Sequence, residues 1–167
     1  ADSTDPNGVQ DYDVQVDNDP GFGSPDWASS PVPSAATTGA LADGVWYWRV
    51  AARDDLGNVS AWSVARSFTI DTTPPSVPVL LSPANGALQT LPAVPLDWTD
   101  SVDATSGVQD YDAQVDSDPL FAPPIDWSAT VVPSNATTSA LIDAVYFWRV
   151  RARDRAGNVS AFSAART

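Results

Sequence analysis

Hydrophobic and polar residues alternate along four segments of the chain, which is the pattern of β-strands that bury one face. In residues 9–17, the apolar residues Tyr12, Val14 and Val16 alternate with Asp and Gln. Residues 46–53, 110–116 and 146–153 show the same period of two. No segment has the 3.6-residue period of an amphipathic helix. The pattern predicts an all-β protein in which these strands each have one apolar and one polar face.

Shorter apolar runs predict further strands between the long ones. They cover residues 68–70, 79–81, 94–99, 131–132 and 137–141. The intervening segments are rich in Pro and Gly, of which the chain has 15 and 9. These residues favour the turns and loops that join short strands. The prediction is therefore a set of short strands punctuated by loops.

The chain also repeats itself with a period near 100 residues. Residues 8–13, Gly-Val-Gln-Asp-Tyr-Asp, recur as residues 107–112, and residues 57–60, Gly-Asn-Val-Ser, recur as residues 157–160. The offset is 99 residues at the first match and 100 at the second, so one residue is inserted near Pro124. A period of this length fits one β-sandwich domain per repeat and is too long for helical solenoid units.

The phase of the repeat predicts two partial sandwiches. Residues 1–71 are expected to form a repeat that lacks its first two strands. Residues 72–75 are expected to be a Pro-rich linker, and residues 76–167 a second repeat that lacks its last strand. We therefore expect the sequence to be a window on a longer repetitive chain.

Composition excludes most catalytic chemistry. The 167 residues carry a net charge of -13, all acidic residues are Asp, all basic residues are Arg, and Glu, Lys, His, Cys and Met do not occur. The chain thus has no imidazole base, no thiolate nucleophile and no zinc-binding set of His or Cys. Glycoside hydrolysis by two carboxyl groups needs one of them to have a raised pKa, which we do not expect for Asp beside Arg on a solvated strand. The prediction is that the chain is not an enzyme.

Charge and hydropathy exclude two further classes of function. The negative net charge repels the phosphate backbone of nucleic acids, and the few Arg residues form no basic cluster. No apolar run approaches the roughly 20 residues that a membrane-spanning helix needs. We expect neither a nucleic-acid partner nor a membrane-spanning segment.

Several segments carry a resemblance to a known family. They are Leu-Asp-Trp at 96–98, residues 111–119, 148–152 and 154–162, and the connector Ile-Asp-Thr-Thr-Pro-Pro at 70–75. On these residues the chain resembles the tandem fibronectin type III and related bacterial immunoglobulin-like repeats of secreted or surface proteins. It departs from fibronectin modules at Trp48 and Trp148, where those modules usually carry Tyr. The resemblance implies tandem immunoglobulin-like β-sandwiches of the fibronectin type III kind.

The resemblance also implies which polar residues face each other, because the third and sixth strands are neighbours in that fold. In the first copy, Asp13 and Gln15 are expected to face Arg49 and Arg53. The corresponding residues of the second copy are Asp112, Gln114, Arg149 and Arg151. Oppositely charged pairs across strands stabilise a sheet by roughly 0.2–1 kcal/mol each. Much of the charge therefore has a structural explanation.

Asp-rich loops are the candidate metal sites, because calcium takes six to eight oxygen ligands, several of them carboxylates on flexible loops. The Asp-Pro loops are residues 17–20 and 116–119, and residues 100–103 lie on a nearby connection. The alternative interpretation of these segments is a turn in which the Asp side chain accepts hydrogen bonds from neighbouring backbone N–H groups. Near the linker, Asp71 is a candidate to share an ion with Asp54 and Asp55. The alternative is a solvated segment whose backbone is restricted by Pro74 and Pro75. No complete twelve-residue calcium loop is present, so we favour the turn and linker interpretations. No cofactor is required, and the candidate calcium ligands are Asp17, Asp19, Asp116, Asp118 and Asp71.

Glycans and aromatic rings offer two further hypotheses. The Asn-X-Ser/Thr sequons at Asn58, Asn135 and Asn158 are candidate glycosylation sites, although two of them lie in a Gly-Asn turn that recurs in both copies. Tyr47 and Phe147 are expected on outward strand faces, where they would stack on sugars or on a neighbouring protomer, or would serve only as strand formers. The aromatic residues expected in cores or at their edges are Trp27, Trp62, Trp98, Trp127 and Phe162.

These observations lead to two functional hypotheses. The first is an extracellular structural repeat module of a filament, stalk or adhesin at the cell surface, with neighbouring repeats, identical protomers or surface glycans as partners. The alternative is a spacer or carbohydrate-binding accessory array of a secreted hydrolase.

Overall fold

The computed structural model describes residues 5–6, 8–30 and 34–167. The chain folds into two compact units, Ala1–Asp71 and Thr72–Thr167. Residues 72–75, for which the sequence predicts a linker, fall within the second unit. The described residues include no helix long and apolar enough to cross a bilayer.

The first unit is one antiparallel sheet of four strands. They are β1 (Val9–Asp17), β2 (Trp27–Ser29), β3 (Gly44–Asp54) and β4 (Arg66–Ile70), in the spatial order β2-β1-β3-β4. The two long strands pair in the register Val16↔Trp48, Val14↔Val50 and Tyr12↔Ala52. Because side chains on a strand point alternately to the two faces, this register gathers the large apolar side chains of the pair on one face.

The second unit is built from two antiparallel sheets. One contains β7 (Val108–Asp116), β8 (Trp127–Val131) and β10 (Phe147–Asp154) in the order β10-β7-β8. The other contains β5 (Leu80–Ser82), β6 (Pro95–Trp98) and β9 (Asn135–Thr137) in the order β5-β6-β9. Arg166, which corresponds to the first residue of β4, forms an isolated bridge with Trp148. The all-β fold class expected from the sequence is confirmed, and the second unit is a sandwich of two sheets.

The core of the second unit lies between its two sheets. Leu80, Leu96 and Trp98 come from β5 and β6, and the facing sheet contributes alternate residues of β7 and β10. The Trp98 and Tyr111 rings meet edge to face, with centroids 5.6 Å apart and planes at 65°, a favoured arrangement for aromatic pairs. Tyr111 also accepts a hydrogen bond on its hydroxyl from the backbone N–H of Ser101 (2.8 Å). The facing residues of the core are Tyr111, Ala113, Val115, Trp148, Val150 and Ala152.

The short strands differ from expectation in three places. The strand expected at 137–141 is wrong beyond its first residue, because Thr138 leaves the ladder and exchanges hydrogen bonds of 3.0 Å with Val94 through its N–H and its Oγ1. The strand expected at 131–132 is only the end of β8. The strand β2 is not predicted by the sequence pattern, since Trp27 is its one large apolar residue.

The apolar face of the first unit is much less covered. Tyr12, Val14, Trp48 and Val50 are only partly buried, whereas the equivalent residues of the second unit are 5 % exposed or less. Among residues 5–6, 8–30 and 34–71 no second sheet packs on this face. The two repeats therefore use the same apolar pattern in different packing environments.

Substitution of Trp148 and of its counterpart Trp48 tests this difference in core burial between the two units. We expect Trp148→Ala to lower the free energy of unfolding by about 3–5 kcal/mol, because it leaves a cavity in a filled core. Trp48→Ala should cost clearly less, because water already reaches part of the ring. Urea unfolding of the full chain, with hydrogen exchange to assign each transition to its unit, measures both losses. Equal losses for the two variants would contradict the assignment of one closed and one open core.

Candidate functional site

The outward face of β7 and β10 carries a ladder of opposite charges. Arg151 Nη2 lies 3.0 Å from Asp112 Oδ2. Arg153 reaches Asp110 Oδ1 through Nε (3.0 Å) and Asp112 Oδ1 through Nη2 (3.2 Å). The expectation that Asp112 faces Arg151 is confirmed. Asp110 and Arg153 form one further ion pair on the same face. Because these pairs are partly exposed, each stabilises the sheet only modestly, but together they fix the partners of both arginines.

The first unit repeats this ladder on β1 and β3. Arg53 Nη2 lies 2.8 Å from Asp13 Oδ2, and its Nε lies 3.3 Å from Asp11 Oδ1. Arg49 Nε donates to Gln15 Oε1 at 2.9 Å, as the sequence led us to expect. Ser30 also donates from its hydroxyl to Asp13 (2.7 Å). The outward faces of both units are thus internally paired.

The Asp112 carboxylate is held in its charged form. Burial raises its pKa, but hydrogen bonds from the Thr130 hydroxyl and the Arg151 guanidinium, with the positive charges of Arg151 and Arg153, outweigh that effect. The pKa of Asp112 therefore lies below the ordinary value for aspartate. A general acid for glycoside cleavage needs a shift in the opposite direction.

One arginine in each repeat lies between two aromatic rings. The Cζ atom of Arg149 is 4.0 Å from the centroid of the Phe121 ring and 4.0 Å from that of the Phe162 ring. Its Nε donates to Gln114 Oε1 at 2.9 Å. A guanidinium over an aromatic face is attracted by the ring quadrupole. We call this arrangement of Arg149, Gln114, Phe121 and Phe162 the arginine clamp of the second unit.

The first unit has an equivalent arginine clamp. Arg49 lies 4.2 Å from the Phe22 ring centroid and 4.6 Å from that of Trp62. Trp62 and Phe162 therefore stack on outward-facing arginines, so the expectation that they belong to cores or core edges is wrong for this pair. Trp98, in contrast, is 1 % exposed and lies in the core as expected.

The Asp-Pro loops position one ring of each clamp, Phe22 in the first unit and Phe121 in the second. Asp116 Oδ1 accepts the N–H of Asp118 (2.9 Å), and Asp118 Oδ1 accepts the N–H of Leu120 (3.0 Å). The N–H of Phe121 then bonds the carbonyl of Asp118 (3.0 Å), and Phe121 has a φ of 55°. A left-handed conformation is costly for a bulky residue, and here it turns the ring back under Arg149. The first unit has the same bonds at Asp17 and Asp19, and Phe22 has a φ of 54°.

This geometry gives the four candidate calcium ligands of these loops a structural role. Asp17 and Asp116 are 3 % and 2 % exposed, and the charge of Asp116 acts on the nearby guanidinium of Arg149. Burial lowers the pKa of Arg149, as does repulsion from Arg151, whereas Asp116 raises it. Within the described residues, neither loop gathers three carboxylates close enough to share an ion. Calcium binding at Asp17, Asp19, Asp116 and Asp118 stays a prediction.

A second set of carboxylates organises the turn after β3 and after β10. Asp154 is fully buried, its Oδ1 accepts the N–H of Gly157 and of Asn158 (2.7 and 2.8 Å), and its Oδ2 accepts the side-chain amide of Asn158 (2.8 Å). Asp54 holds Asn58 in the same way, and the bond from the Asn58 amide is the main cause of the lowered pKa of Asp54. The nitrogen that a glycan would modify at these two sequons is thus a hydrogen-bond donor within the turn.

The remaining predicted residues are Asn135, Asp71, Tyr47 and Phe147. Asn135 lies exposed in β9, and glycosylation at the three sequons stays a prediction. Asp71 is buried and directly follows β4 at the end of the first unit. Tyr47 and Phe147 pair in register with Asp17 and Asp116 and are half-buried on the outward faces.

Asp103 anchors a loop of the second unit, which agrees with the turn interpretation of residues 100–103. Its Oδ1 accepts the backbone N–H groups of Thr105, Ser106 and Gly107 at 3.2, 2.9 and 2.8 Å. The bond from Gly107 is the largest cause of the lowered pKa of Asp103. An oxygen of Asp103 also comes within 4.8 Å of an oxygen of Asp154. The loop thus keeps a carboxylate charged next to the buried Asp154.

Comparison with solved structures identifies the architecture. The chain superimposes on the fibronectin(III)-like modules of CbhA from Clostridium thermocellum with a TM-score of 0.54, over 97 % of this chain and 78 % of that one, at 14 % sequence identity. The chain has the fibronectin type III-like fold. The family resemblance drawn from the sequence is confirmed, although no protein-family profile matches the chain.

Several bacterial hydrolases contain segments similar to this fibronectin type III-like chain. It is 38 % identical over 135 residues to exoglucanase B of Cellulomonas fimi, which covers 77 % of the chain. It is 34 % identical over 169 residues to chitinase A1 of Niallia circulans, which covers 96 % of the chain. The chain spans only 12 % and 22 % of the length of these two relatives.

The clamp predicts that replacing Arg149 by lysine lowers the stability of the second unit. Arg149→Lys keeps the charge but removes the planar group that stacks between two rings while bonding Gln114. We expect the second unit to lose about 1–2 kcal/mol. Arg155→Lys is the matched control, because the Arg155 side chain donates an exposed hydrogen bond of 3.3 Å to the Ser106 carbonyl and the substitution leaves its backbone bond to Gly107 in place. Urea unfolding that gave the same stability for both variants would contradict the role of the clamp.

The lowered pKa of Asp103 predicts part of the acid sensitivity of the second unit. The unfolded chain binds this proton more readily than the folded chain, so stability from the carboxylate is present above the unfolded pKa, near 4, and is lost as the pH falls through the lower folded pKa. Asp103→Asn should therefore reduce stability at pH 7 and flatten its fall between pH 5 and pH 2. The exposed Asp97→Asn serves as the control. Urea unfolding curves at several pH values test this. If the free energy of unfolding of Asp103→Asn fell between pH 5 and pH 2 as steeply as that of the unchanged chain, the prediction would be refuted.

Proposed function

We propose that the chain is a pair of non-catalytic, extracellular spacer modules from a secreted polysaccharide hydrolase. The observation that carries this proposal is the pattern of coverage among its relatives. Most of this chain aligns with enzymes named exoglucanase and chitinase, yet it spans at most 22 % of their length. A module that recurs within much longer hydrolases is expected to serve the enzyme without performing the cleavage itself.

The chemistry of the outward faces supports a non-catalytic role. Asp110 and Asp112 are bonded to arginines, and Asp54 and Asp103 accept backbone N–H groups. The pKa values of Asp54, Asp103, Asp112 and Asp126 all lie below the ordinary value for aspartate. Glycoside cleavage needs a carboxylic acid that keeps its proton near neutral pH. The shift in these four carboxyl groups is in the opposite direction, because their hydrogen bonds and charged neighbours favour the ionised form.

The same faces favour a spacer over a sugar-binding module. Their arginines and aspartates already satisfy one another, so few polar donors are left to orient a sugar hydroxyl. Tyr47 and Phe147 are single half-buried rings next to Asp17 and Asp116. The filament or adhesin hypothesis receives no support from relatives that are hydrolases, so we propose the accessory role in its place. Calcium and glycans are not needed for this role.

The proposal predicts what the isolated chain and the parent protein do. We expect the purified chain to release no reducing sugar from cellulose or chitin and to stay in the supernatant when either polymer is sedimented. A parent polypeptide containing it should hydrolyse one of these polymers, and internal deletion of these residues should leave the cleavage of a soluble oligosaccharide unchanged.

Three results would count against the proposal. Hydrolysis by the isolated chain would show that it is catalytic. Its co-sedimentation with either polymer would assign it a carbohydrate-binding role in place of a spacer role. A parent polypeptide without hydrolase activity would remove the accessory role altogether.

A further inference from the structure

The turn that follows β5 contains the dipeptide Asn85-Gly86. Asparagine followed by glycine occurs twice in the sequence, at 7–8 and at 85–86, and residue 7 lies outside the described residues. Glycine has no side chain to shield its backbone nitrogen, so a flexible chain deamidates readily at an asparagine that precedes glycine. Asn85 and Gly86 are both exposed, and water therefore reaches the two groups that take part in this reaction.

The glycine of this dipeptide is required by the backbone of the turn. The N–H of Ala87 bonds the carbonyl of Ala84 at 3.1 Å, and Gly86 has a φ of 74°. A positive φ at the third position of a four-residue turn strongly favours glycine. A Cβ added at Gly86 would meet no atom within 4 Å. Backbone conformation, and not packing, thus places a glycine directly after Asn85.

Thr167 contacts both groups that would react with each other. Its carbonyl accepts the N–H of Gly86, which is the nucleophile, at 2.7 Å. Its own N–H and its hydroxyl donate to Oδ1 of Asn85 at 2.9 and 3.2 Å. The side-chain carbonyl of Asn85 is the electrophile. Nucleophile and electrophile are therefore both hydrogen-bonded to one residue.

These hydrogen bonds have opposite effects on the reaction. The two donors to Oδ1 of Asn85 stabilise the negative charge that develops on this oxygen when its carbonyl carbon is attacked. The bond from Gly86 to Thr167 withholds the nucleophile, because a bonded backbone amide loses its proton only when the structure opens locally. Loss of this proton precedes the attack, so the bond that withholds the nucleophile controls the rate.

We propose that Asn85 is a deamidation site whose rate is controlled by the pairing of residues 166–167 with the turn. When this pairing opens, the Gly86 nitrogen gives its proton to solvent and forms a bond to Cγ of Asn85. The bond from Cγ to Nδ2 then breaks, and Nδ2 takes up a proton from water and leaves as ammonia. Water opens the resulting five-membered succinimide ring at one of its two carbonyls, which leaves aspartate or isoaspartate at position 85.

The modification changes the contacts beside a core tryptophan. Isoaspartate lengthens the backbone of the turn and adds a negative charge, so the turn no longer offers Thr167 the same partners. The adjacent Arg166 exchanges backbone bonds of 2.8 and 3.1 Å with Trp148. Its Nη1 also donates to the carbonyls of Leu81 (3.0 Å) and Pro83 (3.2 Å). Deamidation at Asn85 therefore loosens the segment that pairs with the start of β10.

Deamidation rates in the folded and the unfolded chain test the proposal. The full chain and Arg166→Ala, which loses the side-chain bonds to the carbonyls of residues 81 and 83, are incubated at mildly alkaline pH with and without urea. Peptide mapping by mass spectrometry follows the conversion of Asn85, and an isoaspartyl methyltransferase labels the isoaspartate. Arg155→Ala is the matched control, because the Arg155 side chain bonds the carbonyl of Ser106.

We expect Asn85 to react about tenfold more slowly, or slower still, in the folded chain than in urea. Arg166→Ala should raise the rate in the folded chain by about threefold or more, Arg155→Ala should leave it unchanged, and all three proteins should react equally fast in urea. If Arg166→Ala unfolds the second unit, Arg166→Lys takes its place under the same criterion.

Two results would overturn the control by residues 166–167. One is a rate in the folded chain that equals or exceeds the rate in urea, which would show that the donors to Oδ1 of Asn85 dominate. The other is an equal rate in the folded variants of Arg166 and Arg155. An Asn85 that stays intact in urea would overturn the modification site itself.

Discussion

The antiparallel pairing of one long strand with another governs both repeats. In the second unit, the register of β7 with β10 sends Val115 and Trp148 to the core. The same register sends Gln114 and Arg149 to the opposite face, where they bond. A slip by one residue would exchange the two faces completely, so core, charge ladder and arginine clamp are consequences of one alignment.

The two units show that this pairing is necessary but does not by itself close a core. Both have the long strand pair, the charge ladder and the clamp, yet within the described residues only the second has the additional strands β5 and β6 over its apolar face. Trp98 meets Tyr111 there and excludes water from the interior. In each repeat, the polar face of the long strand pair is paired by its own side chains. The apolar face is buried only where a second sheet packs on it.

The fold and the cross-strand polar pairs could be predicted from the sequence, because period-two alternation and the internal repeat are strong sequence signals. The alternation predicts β1 to the residue, and the pairing of Gln15 with Arg49 follows from the family resemblance. The arginine clamps could not be predicted, since they depend on the left-handed turns at Phe22 and Phe121. Their one signal is the spacing Asp-X-Asp-Pro-X-Phe, which occurs in both copies and which is equally typical of a candidate calcium loop. The anchoring of residues 105–107 by Asp103 involves a convergence of N–H groups that spacing does not reveal.

The charge ladders are built from aspartate and arginine alone, and this choice has a consequence for the environments in which they persist. Aspartate ordinarily loses its proton near pH 4 and arginine keeps its proton above pH 12. The chain contains no histidine, lysine, glutamate or cysteine, so its four tyrosines, whose phenols ordinarily titrate near pH 10, are its only side chains between these limits. The side chains of the protein therefore have very little buffering capacity around neutrality, and its net charge changes little between mildly acidic and mildly alkaline surroundings. A module of this composition therefore keeps nearly all of its negative net charge when the acidity of the medium shifts within this range.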